Sequence, residues 1–227
     1  HSTRTYVLHG YVGDHHDDVK LTLFSDADFA GCKVTMRSTS GVFLALTGPR
    51  AFFPLAAMSR KQTCVSHSTP EAELVAANMA MRQAGLPSLT LWTYLLGRKI
   101  DLTLREDNTA TIQILMSGKS QNLRHVSRTH GINLMWLHER VARGEGPDAQ
   151  IRAEYCKSHE MSADIFTKEF KSIPQWRHAL SLIGIRPRGE SHEWGKMSEP
   201  VRSKPASKAG GQGGSGHNEP ILRSLAC

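Results

Sequence analysis

Apolar positions recur along this chain with two periods. In VKLTLFSD (19–26) they alternate as in a half-buried strand, with Thr22, Phe24 and Asp26 on one face. STSGVFLAL (38–46) is a second strand, rich in β-branched and aromatic residues, and TGPR turns the chain after it. FFPLAAMSRKQTCVS (52–66) reads as a less regular third strand, with Pro54 near its start as an edge position allows. The period then changes. In HSTPEAELVAANMAMRQAG, Leu74, Ala77 and Met81 form a stripe at spacings of three and four, which predicts a helix. Thr69 is the expected N-cap, Pro70 suits the first helical position, and Glu71 suits the positive end of the helix dipole. Gly85 and Pro87 are expected to interrupt this helix, and Pro87 to start another.

The rest alternates. IDLTLRED (100–107) is a fourth strand and NTATIQILMSG a helix. A polar loop, KSQNLRHVSRTHG, leads to the helix INLMWLHERVARGE. AQIRAEYCKS is a fifth strand, and MSADIFTKEF begins a last helix. At the front, TRTYVLHGYV reads as a helix end stopped by Gly10, and DHHDDV as a loop. Three strands followed by alternating helix and strand predict an α/β fold with a mixed sheet.

Composition refines this picture. From about Gly184 the chain is rich in Gly, Pro, Ser and charge, so 186–227 is expected to be a disordered basic tail. Net charge over the 227 residues is +7. The tail carries seven Lys/Arg against four Asp/Glu, a surplus of three that leaves +4 for residues 1–185. A polyanionic partner fits that balance without being required by it. No apolar stretch is long enough to span a membrane, and the N-terminus lacks the pattern of a signal peptide. Lacking an initiator Met as well, the chain reads as a fragment or processed product, intracellular rather than secreted. Cys32, Cys64, Cys156 and Cys227 are too scattered for a zinc knuckle and are expected to be reduced thiols.

The chemistry lies at element ends. Asp26 ends the first strand and Asp107 the fourth; Glu73 and Asp164 lie in the first turns of two predicted helices. Sites in open α/β sheets form where strands end and helices begin. If the first and fourth strands are parallel neighbours, Asp26 and Asp107 sit side by side and the other two acids close over them. Four carboxylates in one cleft repel unless cations are present. Hard oxygen ligands suit Mg²⁺ or Mn²⁺, and a pair of such ions serves in-line attack on a phosphodiester. Asp28 and Glu71 are the rivals of Asp26 and Glu73. Glu71 and Glu73 lie about 200° apart around a helix, so both cannot face one site; the Leu74–Ala77 stripe beside Glu73 favours Glu73.

Each motif alone is ordinary turn or cap chemistry; their order is not. SDADFAG followed by RSTSG, then MSRKQTCVSHSTPEAELVA, EDNTATI and ADIFTKEF resemble the ribonuclease H domain of copia-type retrotransposon Pol polyproteins over roughly residues 5–172. The resemblance implies a ribonuclease H-like fold with a five-stranded mixed sheet flanked by helices. It implies Mg²⁺-dependent cleavage of the RNA strand of RNA–DNA hybrids, with two ions and Mn²⁺ as a substitute. Asp26, Glu73, Asp107 and Asp164 match the family's acids, and His159 stands where many ribonucleases H place a mobile histidine. Ser68, Thr69, Arg60, Lys61 and Asn108 are the candidates for holding nucleic-acid backbone. On this reading 1–17 is the end of the reverse-transcriptase connection plus linker, 18–185 the catalytic domain, and the reverse-transcriptase domain a partner. Glu106 departs from the family, which often has Cys there, and brings a fifth carboxylate near the site. Two other readings stand beside this one: a non-catalytic nucleic-acid-binding remnant, and a transposase or integrase on the same fold. The motif context favours ribonuclease H over the latter.

Overall fold

The strand expected to carry Asp26 runs from Lys20 to Asp28 and lies at the centre of a sheet in the computed structural model, which describes residues 5–141 and 150–189. In chain order the elements are β1 (Tyr6–Leu8), β2 (Tyr11–Val12), β3 (Lys20–Asp28), β4 (Thr39–Thr47), β5 (Ala51–Lys61), α1 (Thr69–Ala80), α2 (Leu86–Leu96) and β6 (Leu102–Glu106). There follow α3 (Thr109–Ser117), α4 (Val126–Thr129), α5 (Leu134–Val141), β7 (Ile151–Tyr155), α6 (Ile173–Leu182) and β8 (Ile185–Pro187). The main sheet has the order β2-β5-β4-β3-β6-β7. β3, β4 and β5 pair antiparallel, while β6 and β7 run parallel to β3. This is the mixed α/β arrangement, a mixed sheet flanked by helices, that the sequence implies. It carries six strands rather than five, because the two residues of β2 add to β5.

Strand alternation divides the core between the two faces. Leu21, Leu23, Val42, Leu44, Leu102 and Leu104 pack against Leu74, Ala77 and Met81 of the helical side, all fully buried. Burial of one such side chain stabilises by about 1.5–3 kcal/mol. On the opposite face Phe24, Phe43, Phe52 and Phe166 form a second, aromatic cluster with Ile183. Asp26 shares its side of β3 with Thr22 and Phe24, as the alternation requires.

Four local expectations are corrected. Over residues 6–12 the segment 3–12 is no helix end, while 3 and 4 lie outside the described residues: Tyr6–Leu8 pairs antiparallel with Ile185–Pro187, and Tyr11–Val12 pairs with Ala51–Phe52. Its aromatic and β-branched residues suit that extended state. The cap of α1 is Ser68 rather than Thr69, since the Ser68 hydroxyl accepts from the Glu71 N–H at 3.3 Å. The α-helix is interrupted and Pro87 lies in the first turn of α2, as expected, but Gly85 and Pro87 do not break the helical path. A wide turn, Met81–Gly85, joins α1 to α2, with the Leu86 N–H bonded to Met81 O; the widened turn removes the clash Pro87 would make in a regular helix. The segment around Asp164 is not an α-helix but two 3₁₀ turns, Ser158–Glu160 and Ser162–Phe166. The last true helix, α6, starts later, at a Ser172 cap followed by Pro174.

Pro54 falls at an irregularity: the β4–β5 register jumps from Leu44↔Ala56 to Ala45↔Pro54, leaving Leu55 as the extra residue. Of the expected tail, Arg186 and Pro187 are paired in β8, and 190–227 lies outside the described residues. No helix among the described residues is long and apolar enough to cross a membrane.

Candidate active site

β3 and β6 are parallel neighbours with Phe24 opposite Arg105, so two residues further on Asp26 faces Asp107. α1 begins above that edge of the sheet and brings Glu73 down onto it. The small residues Ala27, Ala72 and Ala76 pack together there and let the helix approach closely. One carboxylate oxygen from each of Asp26, Glu73 and Asp107 falls within 4.8 Å of the others. They line a cleft of about 520 Å³ together with Asp28, Thr69, Asn108 and Lys168.

The electrostatics of the cluster are those of acids short of counter-charge. Asp26 and Glu73 are buried, and Glu73 Oε2 has no hydrogen-bond partner. Burial first, then the charges of Glu106, Asp26 and Asp107, push the Glu73 carboxyl up to about 10. A buried carboxylate oxygen without a donor, among other carboxylates, fits a hard divalent cation and little else. By chemistry and placement the three residues can hold such an ion.

Asp164 reaches the site by a different route. Its Oδ1 lies 2.7 Å from Lys168 Nζ, and the same ammonium is 3.3 Å from Asp26 Oδ1. Burial, with Asp26 and Asp107 opposing its charge and Lys168 supporting it, raises Asp164 to about 6. The Thr167 hydroxyl donates to Asp26 Oδ2, so one short turn delivers both a hydroxyl and an ammonium to Asp26. That turn lies tight against β4: a Cβ on Gly41, which faces Asp26, would come within 2.6 Å of Thr167 Cγ2 and 2.8 Å of Ala163 O. The RSTSG motif therefore has a physical basis. Gly41 admits the turn, Ser38 accepts from the Ala30 N–H, and Ser40 accepts from the buried Gln62 amide, which also donates to Ala72 O in α1.

No family model matches the chain, and no curated protein matches it at a significant level. Among solved structures, it is similar to an N-terminal RNase H domain from Mycobacterium tuberculosis, solved as a fusion with maltose binding protein. The TM-score is 0.40 and the identity 14%, over 66% of this chain and 91% of that one. It is also similar to the NurA nuclease from Sulfolobus solfataricus, with TM-score 0.37 and 12% identity, over 80% of this chain and 58% of that one.

The other candidate residues divide. Glu106 neither joins the cluster nor faces solvent. It is fully buried, accepts from Ser25 Oγ at 3.0 Å and from the Asn108 N–H at 3.3 Å, and burial holds its carboxyl well above the usual range. Asp28 lines the cleft and closes the following turn, where its carboxylate fills the space a Cβ on Gly31 would need. Asn108 spends its side-chain oxygen capping α3, accepting from the N–H groups of Ala110 and Thr111 at 3.0 and 3.2 Å. Thr69 lies exposed on the rim, beside Ser68. Arg60 and Lys61 end β5 at the same end of the sheet and are exposed. Lys61 Nζ lies 2.8 Å from Cys32 Sγ, an approach that brings the thiol down to about 6.

His159 is outside the cluster: its ring is exposed and lies 3.5 Å from Glu160, while its carbonyl accepts from His178. Its neighbour Ser158 is the residue that donates to Asp107, at 2.9 Å. Sequence reasoning missed Ser158, Thr167 and Lys168. A signal for the last two was present in ADIFTKEF, since they follow Asp164 by three and four residues and so share its side of one turn.

Proposed function

We propose that the chain is a metal-dependent ribonuclease H, cutting the RNA strand of RNA–DNA hybrids during reverse transcription of a copia-type retrotransposon. The observation that carries this reading is the Asp26–Glu73–Asp107 cluster, together with the buried, unpartnered Oε2 of Glu73. The catalytic domain is 18–185, extended by the pairing of β1 with β8. On this reading it works beside the reverse-transcriptase domain of the same polyprotein, in a cytoplasmic particle or the nucleus.

Two Mg²⁺ ions, or Mn²⁺ in their place, would be held by Asp26, Glu73, Asp107 and Asp164 and would supply the positive charge for in-line attack on a phosphodiester. The chain's own part is to fix those carboxylates. Thr167 and Ser158 donate to Asp26 and Asp107 and restrict their rotation. Glu106, held by Ser25 and the Asn108 N–H, lies beneath the cluster and disfavours ionisation of Glu73 when no cation is present. Ser68, Thr69 and Asn108 stand at helix starts that suit contact with a phosphate backbone, and Arg60 and Lys61 extend that surface. The chemistry of selection is the 2′-hydroxyl and the shape of the hybrid.

The test is cleavage of end-labelled RNA–DNA, RNA–RNA and DNA–DNA duplexes with Mg²⁺, with Mn²⁺ and with chelator. The expected result is cleavage of the RNA strand of the hybrid alone, and only with a divalent ion. Binding of hybrid without cleavage in either cation would replace this reading with the nucleic-acid-binding remnant.

A further inference from the structure

Lys168 is the one basic residue among those lining the acidic cleft. Its ammonium bridges Asp164 Oδ1 at 2.7 Å and Asp26 Oδ1 at 3.3 Å. This is a built arrangement rather than a side chain that happens to reach. The Lys168 and Thr167 N–H groups both bond to Asp164 O, at 2.9 and 3.1 Å, and Ser59 Oγ of β5 holds Phe166 O at 2.6 Å. Gly41 gives the turn its seat on the sheet. The ammonium therefore occupies the side of Asp26 that faces Asp164, and among the described residues no other basic side chain lines the cleft toward Glu73 and Asp107. A divalent ion shared by Asp26 and Asp164 has to displace it. The Lys168 side chain is 40% exposed, and its four-carbon stem can swing away when a phosphate offers the ammonium another anion.

Taking the nuclease reading as its basis, we infer that Lys168 is a tethered counter-cation. It holds the Asp26–Asp164 half of the site in place of a second divalent ion until nucleic acid arrives. The free protein takes one divalent ion, at Asp26, Glu73 and Asp107. The second enters only when a substrate phosphate draws Lys168 off the carboxylates.

The experiment is Mn²⁺ binding, by calorimetry and by the loss of free-Mn²⁺ spin resonance signal, to the parent chain, Lys168→Met and Lys168→Arg without nucleic acid. The parent and Lys168→Arg should each bind one ion. Lys168→Met should bind two, the second at least about tenfold more tightly than any second ion in the parent, because a unit charge a few ångströms away is gone. Should Lys168→Met fold poorly without metal, the parent alone still decides: one ion when free, two with an uncleavable hybrid. Two ions of similar affinity on the free parent, or identical binding by the parent and Lys168→Met, would overturn the inference while leaving the nuclease reading in place. A parent that binds no Mn²⁺ and cuts no hybrid removes both.

Discussion

Glu71 and Glu73 lie two residues apart in the first turns of α1, and both are buried, at 0% and 3% exposure. Their surroundings are opposite. Glu71 accepts from the His67 N–H at 2.9 Å and from the Nε2 atoms of His125 and His130 at 3.1 and 2.9 Å. Burial works against its charge, yet those donors hold its carboxyl below the usual range. Glu73 has an oxygen with no donor and three carboxylates as neighbours, and its carboxyl is pushed up to about 10. Burial is thus no mark of function by itself; the partners decide. Glu71 is satisfied within the chain and ties the loop before α5 to the start of α1. Glu73 is left incomplete, and incompleteness in a cleft is the sign of a group kept for something that binds.

The sharpest way to break that contrast is to remove one acid from each side. Asp107→Asn keeps the shape and removes a charged ligand. Cleavage of an RNA–DNA hybrid should fall about a thousandfold, as loss of several kcal/mol of charge stabilisation requires, while hybrid binding is retained. Full activity in this variant would take the cluster out of the chemistry. Glu71→Ala strands two imidazoles and an N–H, and should lower the unfolding free energy by about 3 kcal/mol in a urea titration. A change under a few tenths would mean that Glu71 is not the anchor its hydrogen bonds describe.

Gly41→Ala probes the support of the site rather than its ligands. The added methyl meets Thr167 and the Ala163 carbonyl, and should cost about 2 kcal/mol by displacing the turn that carries Asp164 and Lys168. Equal stability in the variant would show that the turn has room to move.

Smaller, but diagnostic in sign, is the pH dependence of the metal-free protein. Glu73 holds its proton up to about 10 and Asp164 up to about 6, both above ordinary carboxyl values. Within those windows the folded chain binds more protons than the unfolded one. Stability should therefore fall as pH rises from about 5 to 9, by a few degrees of melting temperature. Glu71 is shifted the other way, and its contribution is lost only in acid, as pH drops through the carboxyl range. A melting temperature that climbs steadily from pH 5 to 9 without metal would contradict the neutral Glu73.

The contrast also shows what could be read beforehand. Asp26 and Asp107 were legible because an acid at a strand end, ordinary by itself, recurs here in an order of motifs that is not, and the parallel β3–β6 pairing puts the two together. The apolar stripe of Leu74 and Ala77 beside Glu73 favours it over Glu71. What the sequence hid was the satisfaction of Glu71. Its partners His125 and His130 come from a loop more than fifty residues away, with no periodicity to point at α1. The join between α1 and α2 was hidden too, because Gly85 and Pro87 read as breakers unless tertiary packing allows a widened turn. The Asp164 turn read as a helix because its start is that of a helix; Gly41 and Ser59 instead hold it as a short 3₁₀ turn against the sheet. His159 was placed by family position alone, and nothing local turns its ring toward the acids.

The central claim is that Glu73 is incomplete because the site awaits a cation. Melting of the parent and of Glu73→Gln, each with and without Mg²⁺ at pH 8, tests it most directly. Without metal Glu73→Gln should melt a few degrees above the parent, since at pH 8 the parent has to take up a proton at Glu73 on folding and Gln does not. With Mg²⁺ the parent should rise by several degrees, as a ligand of the folded state requires, and Glu73→Gln should barely move. A parent that ignores Mg²⁺, or a Glu73→Gln variant that gains as much from it as the parent, would contradict the account.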